Sequence, residues 1–142
     1  MTRERFVVHG TGDELAATKA GLSKTLELLG QHKTGVVLVP TMRTAKDTML
    51  VTALGDLGKK FVKDRVINLD GGVSLHLCAD ATLKNFQRAD VYLALWGSKY
   101  AIADIEALSS WKAAVLVTWE PAESAEWEQQ HHVKVVQHAG FV

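Results

Sequence analysis

The fold is decided by Ala113-Ala114-Val115-Leu116-Val117-Thr118-Trp119, a run of β-forming and almost wholly apolar residues. A strand with this pattern is buried on both faces, as in parallel sheets that carry helices on both sides. Two runs of the same kind, Val36–Val39 and Val91–Trp96, stand earlier in the chain. We therefore predict that these three strands are neighbours in one mostly parallel sheet.

Segments with helical spacing separate the strands. The first begins near a capping pattern at Thr11–Glu14 and ends at Gly30, which takes a left-handed conformation at little cost. A second helix is predicted from about Ala45 to Lys63, with its own capping pattern at residues 44–47. Within it, Gly55 and Gly58 either allow close packing or mark a break. Shorter helices are predicted near residues 83–87, 102–108 and 122–131.

The spacing of apolar residues changes in the central segment of the chain. Apolar residues stand at every second position on either side of Asp70-Gly71, and this pattern predicts a β-hairpin over residues 66–77. The last strand, Val133–Val136, carries a lysine and is predicted at a sheet edge. Taken together, residues 1–142 are predicted to form a single three-layer α/β domain, Rossmann-like or flavodoxin-like, with a mostly parallel sheet.

The composition, 47% hydrophobic and 23% charged, is that of an ordinary globular domain. The 16 basic residues balance the 16 acidic ones, which argues against non-specific binding of duplex nucleic acid. The charged start is not that of a signal peptide, and no apolar stretch is long enough to cross a bilayer. We therefore expect a cytoplasmic protein without membrane contact, and the composition is compatible with a homo-oligomer.

Few residues suit a metal or a redox role. The single cysteine, Cys78, excludes an intramolecular disulfide and a cysteine metal cluster, and its apolar surroundings predict burial. Glu128, His131, His132 and His138 could contribute metal ligands. Because adjacent histidines on a helix point in different directions, we predict a solvated helix end instead of a metal site.

Polar loops follow the predicted parallel strands, whose carboxyl ends meet at one edge of the sheet. We call this edge, with loops 9–13, 41–44, 97–100 and 120–121, the rim. Three of these loops lead into helix N-termini, where free N–H groups favour an anion. A phosphorylated small molecule or a nucleotide is therefore the predicted ligand. The candidate ligand-binding residues are His9, Thr11, Asp13, Thr41, Arg43, Thr44, Ser98, Lys99, Tyr100 and Glu120.

Other interpretations of the rim stay open. Thr11 and Thr44 could merely cap helices, since Gly10-Thr11-Gly12 lacks the third glycine of the dinucleotide fingerprint and the chain has no Walker A motif. His9 and Asp13 could form an acid–base pair, to which Glu120 would add a carboxylate. The rim tryptophans, Trp96 and Trp119, could stack on a base or plug the core.

The segment from Ala89 to Leu108 resembles nucleotide-handling Rossmann-like domains, in which an Ala-Asp pair precedes a strand and a glutamate follows on the next helix. The corresponding residues in this chain are Asp90, Ser98, Tyr100 and Glu106. Three functions are compatible with the sequence: a module that binds or senses a phosphorylated compound, an enzyme acting on such a compound, and a ligand-free protein-interaction module. The sequence assigns neither a cofactor nor a catalytic residue.

Overall fold

The structure, a computed structural model, describes residues 3–42, 48–97 and 99–137. Its strands are β1 (Glu4–Val8), β2 (Thr34–Val39), β3 (Val66–Leu69), β4 (Val73–Ala79), β5 (Val91–Gly97), β6 (Ala113–Thr118) and β7 (Lys134–Val135). Its α-helices are α1 (Leu15–Leu28), α2 (Met49–Leu54), α3 (Gly58–Asp64), α4 (Lys99–Glu106) and α5 (Ala125–Gln130). Short 3₁₀ helices cover Gly55–Leu57, Asp70–Gly72, Asp80–Asn85 and Pro121–Ser124.

The strands form one sheet in the order β3-β4-β2-β5-β6-β1-β7. The pairs β2–β5 and β5–β6 are parallel, so the three uniformly apolar strands are adjacent as predicted. Strand β7 pairs in parallel with β1 at one edge, and β3 pairs antiparallel with β4 at the other. The α/β fold with a mostly parallel sheet is thus confirmed.

Alternate residues of each strand pack on opposite faces of the sheet, and both faces are covered. Val37, Leu93 and Val115 belong to a core that they share with Leu22 of α1 and Phe61 of α3. Their sequence neighbours belong to a second core shared with α4 and α5; its members include Leu38, Ala94, Leu116, Ile102, Ile105 and Trp127. Burial on both faces explains why these strands lack the polar alternation of a half-exposed sheet.

The first two helices differ in detail from the sequence predictions. The predicted capping box does not form, because Glu14 is the N-cap residue of α1 and makes no side-chain cap bond. The second helix is divided at Gly55, which has φ +63°, whereas a Cβ on Gly58 would lie 2.2 Å from the Val51 carbonyl oxygen. Gly55 therefore marks a break and Gly58 allows close packing. Thr48 caps α2, and residues 44–47 lie outside the described residues.

The predicted hairpin is present between β3 and β4. Leu69 pairs with Val73 across the three-residue turn, in which Gly71 and Gly72 have φ +80° and +77°. These angles are in the left-handed region of the backbone, which residues other than glycine and asparagine rarely adopt. The turn therefore fixes the register of the antiparallel edge.

Replacing Gly71 with valine is expected to lower the free energy of unfolding by about 1–3 kcal/mol, because a β-branched residue resists positive φ. Gly71→Asn is the matched control, since asparagine tolerates the left-handed conformation and should cost much less. Urea denaturation of both variants measures the difference. Equal stability of the valine variant and the wild type would show that this turn does not constrain the edge.

Cys78 is buried, as predicted. Burial, assisted by the nearby charge of Asp80, raises the pKa of Cys78 to about 12. Thiolate, the nucleophilic form, is therefore scarce at neutral pH. Across the described residues, no helix has the length and apolar character needed to span a membrane.

Candidate functional site

The strand order predicts a crevice at the rim, between the carboxyl ends of the neighbouring strands β1 and β6. The chain leaves β1 for α1 on one face of the sheet and leaves β6 for α5 on the other face. Neighbouring strands with connections to opposite faces leave a gap between their loops, which is where open α/β sheets bind ligands. The candidate site is therefore built from the loop after Val8, the start of α1 and the loop after Thr118.

A buried threonine holds the β1 loop in place. The Thr118 hydroxyl accepts a hydrogen bond from the Gly10 N–H (3.0 Å) and donates one to the Gly10 carbonyl (2.9 Å). A Cβ on Gly10 would lie 2.8 Å from the Cβ of Ala17, so only glycine fits between β6 and α1. Sequence analysis did not single out Thr118, although a hydroxyl at the end of an apolar strand is a usable signal.

The same loop brings the start of α1 beside an exposed tryptophan. The Gly12 N–H donates to the Trp119 carbonyl (2.7 Å), and Gly12 has φ +66°. The Trp119 ring lies just beyond Gly12, about 3.9 Å from the position of a Cβ there, and Trp119 is 47% exposed. Since Glu14 gives α1 no side-chain cap, the N–H groups of its first turn have neither an intrahelical nor a side-chain partner from the N-cap.

Carboxylates of the chain bind the starts of α2 and α4. Asp13 accepts hydrogen bonds from the Met49 N–H at the start of α2, at 3.0 and 3.3 Å. Glu123 accepts one from the Lys99 N–H at the start of α4, at 3.0 Å. A carboxylate at a helix N-terminus takes the place that a ligand anion would take. Among the described residues, Asp13 and Glu123 thus bind the starts of α2 and α4, whereas the N-cap residue of α1 supplies no side-chain cap.

The structure places most of the predicted site residues at the rim. Thr11, Thr41 and Glu120 are exposed there. Tyr100 is 70% exposed, and the Lys99 ammonium lies 5.4 Å from its ring centroid. The remaining three candidates, Arg43, Thr44 and Ser98, lie outside the described residues.

His9 pairs with a different carboxylate from the one expected. Its Nε2 lies 3.1 Å from Oε2 of Glu128 on α5, whereas Asp13 caps α2. The buried Ser124 hydroxyl donates to the same oxygen at 2.7 Å. Partial burial favours the neutral form of Glu128, but the bonds from Ser124 and His9 outweigh it and lower the pKa of that carboxyl. His9 and Ser124 are therefore both held by a single carboxylate oxygen of Glu128.

The two rim tryptophans have different environments. Trp96 is 6% exposed and belongs to the core on the α1 face. Of the two interpretations that the sequence left open, stacking on a base or filling the core, its burial agrees with the second. A register shift between Leu95 and Gly97 and a φ of +54° at Trp96 turn its side chain to that face. Such a backbone costs on the order of 1–3 kcal/mol. Trp119, by contrast, is available for stacking.

Two residues of the Ala89–Leu108 resemblance have structural contacts away from the rim. Asp90 precedes β5 and accepts from the Lys33 and Thr34 N–H groups, at 3.0 and 3.3 Å. Glu106 ends α4 and makes two bonds to the Arg5 guanidinium, at 2.7 and 3.0 Å. Both carboxylates lie toward the amino ends of the strands, away from the rim.

Asp80, directly after β4, is a carboxylate that sequence analysis missed. Its Oδ1 is buried without a hydrogen-bond partner among the described residues. Burial, and then the charge of Asp104, raise the pKa of the Asp80 carboxyl above its usual value. Three strands separate β4 from β1, so Asp80 does not belong to the crevice. Across the described part of the chain, no group of three potential ligands suits a metal ion.

Comparisons with known proteins identify no family for this chain. No protein-family model matches it, and neither does any curated protein sequence. Among solved structures, a mutant ATPase domain of a Thermus phage large terminase is similar at a TM-score of 0.48 and 12% sequence identity. The match covers 84% of this chain but only 61% of the terminase chain. Similarity of this degree says nothing about ligand or activity.

Proposed function

We propose that this domain binds a phosphorylated small molecule or a nucleotide in the crevice between β1 and β6. The observation that carries the proposal is the start of α1, which has no side-chain cap and opens beside the exposed ring of Trp119. The phosphate would accept hydrogen bonds from the first-turn N–H groups of α1, and the helix dipole would favour its charge. Gly12, which precedes the helix, places no side chain there.

The exposed tryptophan favours a ligand with a planar ring. Every nucleobase presents a face on which an indole can stack, and such stacking contributes about 1–3 kcal/mol per base. Trp119 is held at this position because its own carbonyl accepts the Gly12 N–H bond. A ring on Trp119 and a phosphate at α1 would therefore be bound by adjacent parts of one crevice.

The test is titration of the protein with adenosine monophosphate and, separately, with inorganic phosphate. Both should move the amide resonances of residues 10–17, and Trp119→Ala should weaken nucleotide binding about tenfold while leaving phosphate binding nearly unchanged. Leu57→Ala, which removes a similarly exposed apolar side chain (44%) outside the rim, is the control. If millimolar nucleotide and phosphate leave those amides unmoved, the rim is not an anion site and the protein-interaction module is favoured.

The pair formed by His9 and Glu128 favours an enzyme as the second candidate. In a hydrolytic reaction His9 would take the proton of the attacking water as the bond to the leaving oxygen breaks, and Glu128 would stabilise the resulting imidazolium. His9→Gln should then lower the rate of phosphate release from nucleotides about a hundredfold or more, with little change in nucleotide binding. Wild-type protein that binds nucleotide without releasing phosphate would exclude this candidate and leave the binding module.

A further inference from the structure

A second cleft, of about 400 Å³, lies between the segment Lys84–Ala89 and the strands β2 and β4. Its floor includes Thr34, the first residue of β2, so the cleft opens toward the amino end of that strand, opposite the rim. The volume is within the range of pockets that bind small molecules. We call it the basic cleft, after Lys84 and Arg88 in its wall.

The wall of the basic cleft is fixed in place before any ligand binds. The hydroxyl of the fully buried Tyr92 donates to the Phe86 carbonyl and accepts from the Ala89 N–H at 3.2 Å. The Ser110 hydroxyl donates to the Gln87 carbonyl at 2.9 Å. Anchored backbone of this kind reduces the entropy that a ligand must offset when it orders the site.

The two cations of the basic cleft have no ion-pair partner in the part of the chain that the structure describes. Within residues 3–42, 48–97 and 99–137, neither Lys84 nor Arg88 forms an ion pair, and both are exposed. The nearest carboxylate in sequence, Asp90, is engaged by backbone N–H groups of residues 33 and 34. A phosphate matches this arrangement, because guanidinium binds it in a bidentate manner and ammonium binds it as a point charge.

An aromatic surface completes the basic cleft. The half-buried Phe86 lines it together with His76, and their ring centroids are 6.0 Å apart at an angle of 49°. The His76 Nε2 is held 3.2 Å from the Ser74 hydroxyl. Aromatic rings favour stacked or edge-on contact with another planar ring. We propose that the basic cleft is a second ligand site, separate from the rim, for a monophosphate that carries a planar ring.

The experiment is a site-resolved titration with adenosine monophosphate, with inorganic phosphate and adenosine as partial ligands. The nucleotide should move the amide resonances of residues 84–89, and the double variant Lys84→Gln/Arg88→Gln should raise the Kd read from those resonances at least about tenfold. The matched control is Lys59→Gln/Lys60→Gln, which removes the same charge from exposed positions of α3 on the other face of the sheet. That control should leave the Kd unchanged.

The outcomes at the two sites are independent. If the nucleotide leaves residues 84–89 unmoved, or if the Lys84→Gln/Arg88→Gln variant binds as well as the control, the basic cleft is not a phosphate site, whatever happens at residues 10–17. If adenosine binds there as tightly as its monophosphate, the cations do not select a phosphate and the proposal is wrong. Movement of residues 84–89 alone would support the basic cleft and refute the rim site.

Discussion

Replacing Glu106 with alanine is expected to lower the free energy of unfolding by about 3 kcal/mol. The Glu106 carboxylate binds the Arg5 guanidinium twice and accepts the Trp127 indole N–H at 2.8 Å. Arg5 is 14% exposed, so the variant would leave a desolvated cation without its counter-charge and an indole N–H without an acceptor. Chemical denaturation at neutral pH measures the loss.

The contribution of Glu106 should depend on pH in a definite direction. Burial favours its neutral form, but the bonds from Arg5 and Trp127 outweigh burial and lower the pKa of Glu106 below its ordinary 4.5. A carboxyl with a lowered folded-state pKa stabilises the fold above the unfolded-state pKa and loses that contribution as the pH falls through the folded-state pKa. Glu106→Gln should therefore destabilise at pH 7 and progressively less below about pH 4.5.

The control for Glu106 is another glutamate of the same face. Glu126→Ala removes an exposed carboxylate of α5 that accepts one bond, from the Gln130 amide at 3.2 Å. Its effect should stay within about 0.5 kcal/mol. Equal losses for Glu106→Ala and Glu126→Ala, or a loss at Glu106 that does not diminish in acid, would show that the cluster around Arg5 does not stabilise the fold.

Replacing Gly10 with valine is expected to cost about 3 kcal/mol and to lower the melting temperature by about 10 °C. The Cβ alone would lie 2.8 Å from the Cβ of Ala17 and 3.2 Å from the Thr118 carbonyl oxygen. Helix α1 would have to move away from β6, and the proposed rim site would open with it. Thermal unfolding measures the loss, and Thr11→Val, the same side chain at the exposed neighbouring position, is the stability control.

A second substitution shows whether the contact with Ala17 is the cause. Ala17→Gly removes the atom that a residue-10 Cβ would strike, at a cost of about 1 kcal/mol for glycine in a helix. If the clash is real, Gly10→Val combined with Ala17→Gly should be less destabilising than the sum of the two changes. Additive losses would mean that the space beside Gly10 is not limiting.

Much of the fold could be predicted because the signals are local. The apolar strand Ala113–Thr118 and the glycine turn at residues 70–72 carry their structure in their own composition. The start of α1 was predicted less well, since the expected capping box depends on competition between side chains near the helix end. Glu14 forms no such bond, and Asp13 instead caps α2, 36 residues further along the chain.

The candidate site was predicted only as a group of loops. A parallel sheet brings the carboxyl ends of its strands to one edge, so the sequence could place the loops that carry His9, Thr11 and Lys99 at that edge. It could not show that Glu123 lies at the Lys99 N–H or that Glu128 lies beside His9, because these contacts join residues 24 and 119 positions apart. Contacts at such separations depend on strand order, which no local pattern encodes.

The sequence by itself therefore determined the α/β class, the position of the hairpin and the edge at which polar loops gather, since periodicity and turn chemistry act within a few residues. Only the tertiary structure decided which helix starts receive a carboxylate from elsewhere in the chain, which tryptophan is exposed and which cations of the described residues lie beside the aromatic wall of the basic cleft. Each of those depends on neighbours that the order β3-β4-β2-β5-β6-β1-β7 brings together. Burial and charge pairing are properties of that arrangement and not of any single segment.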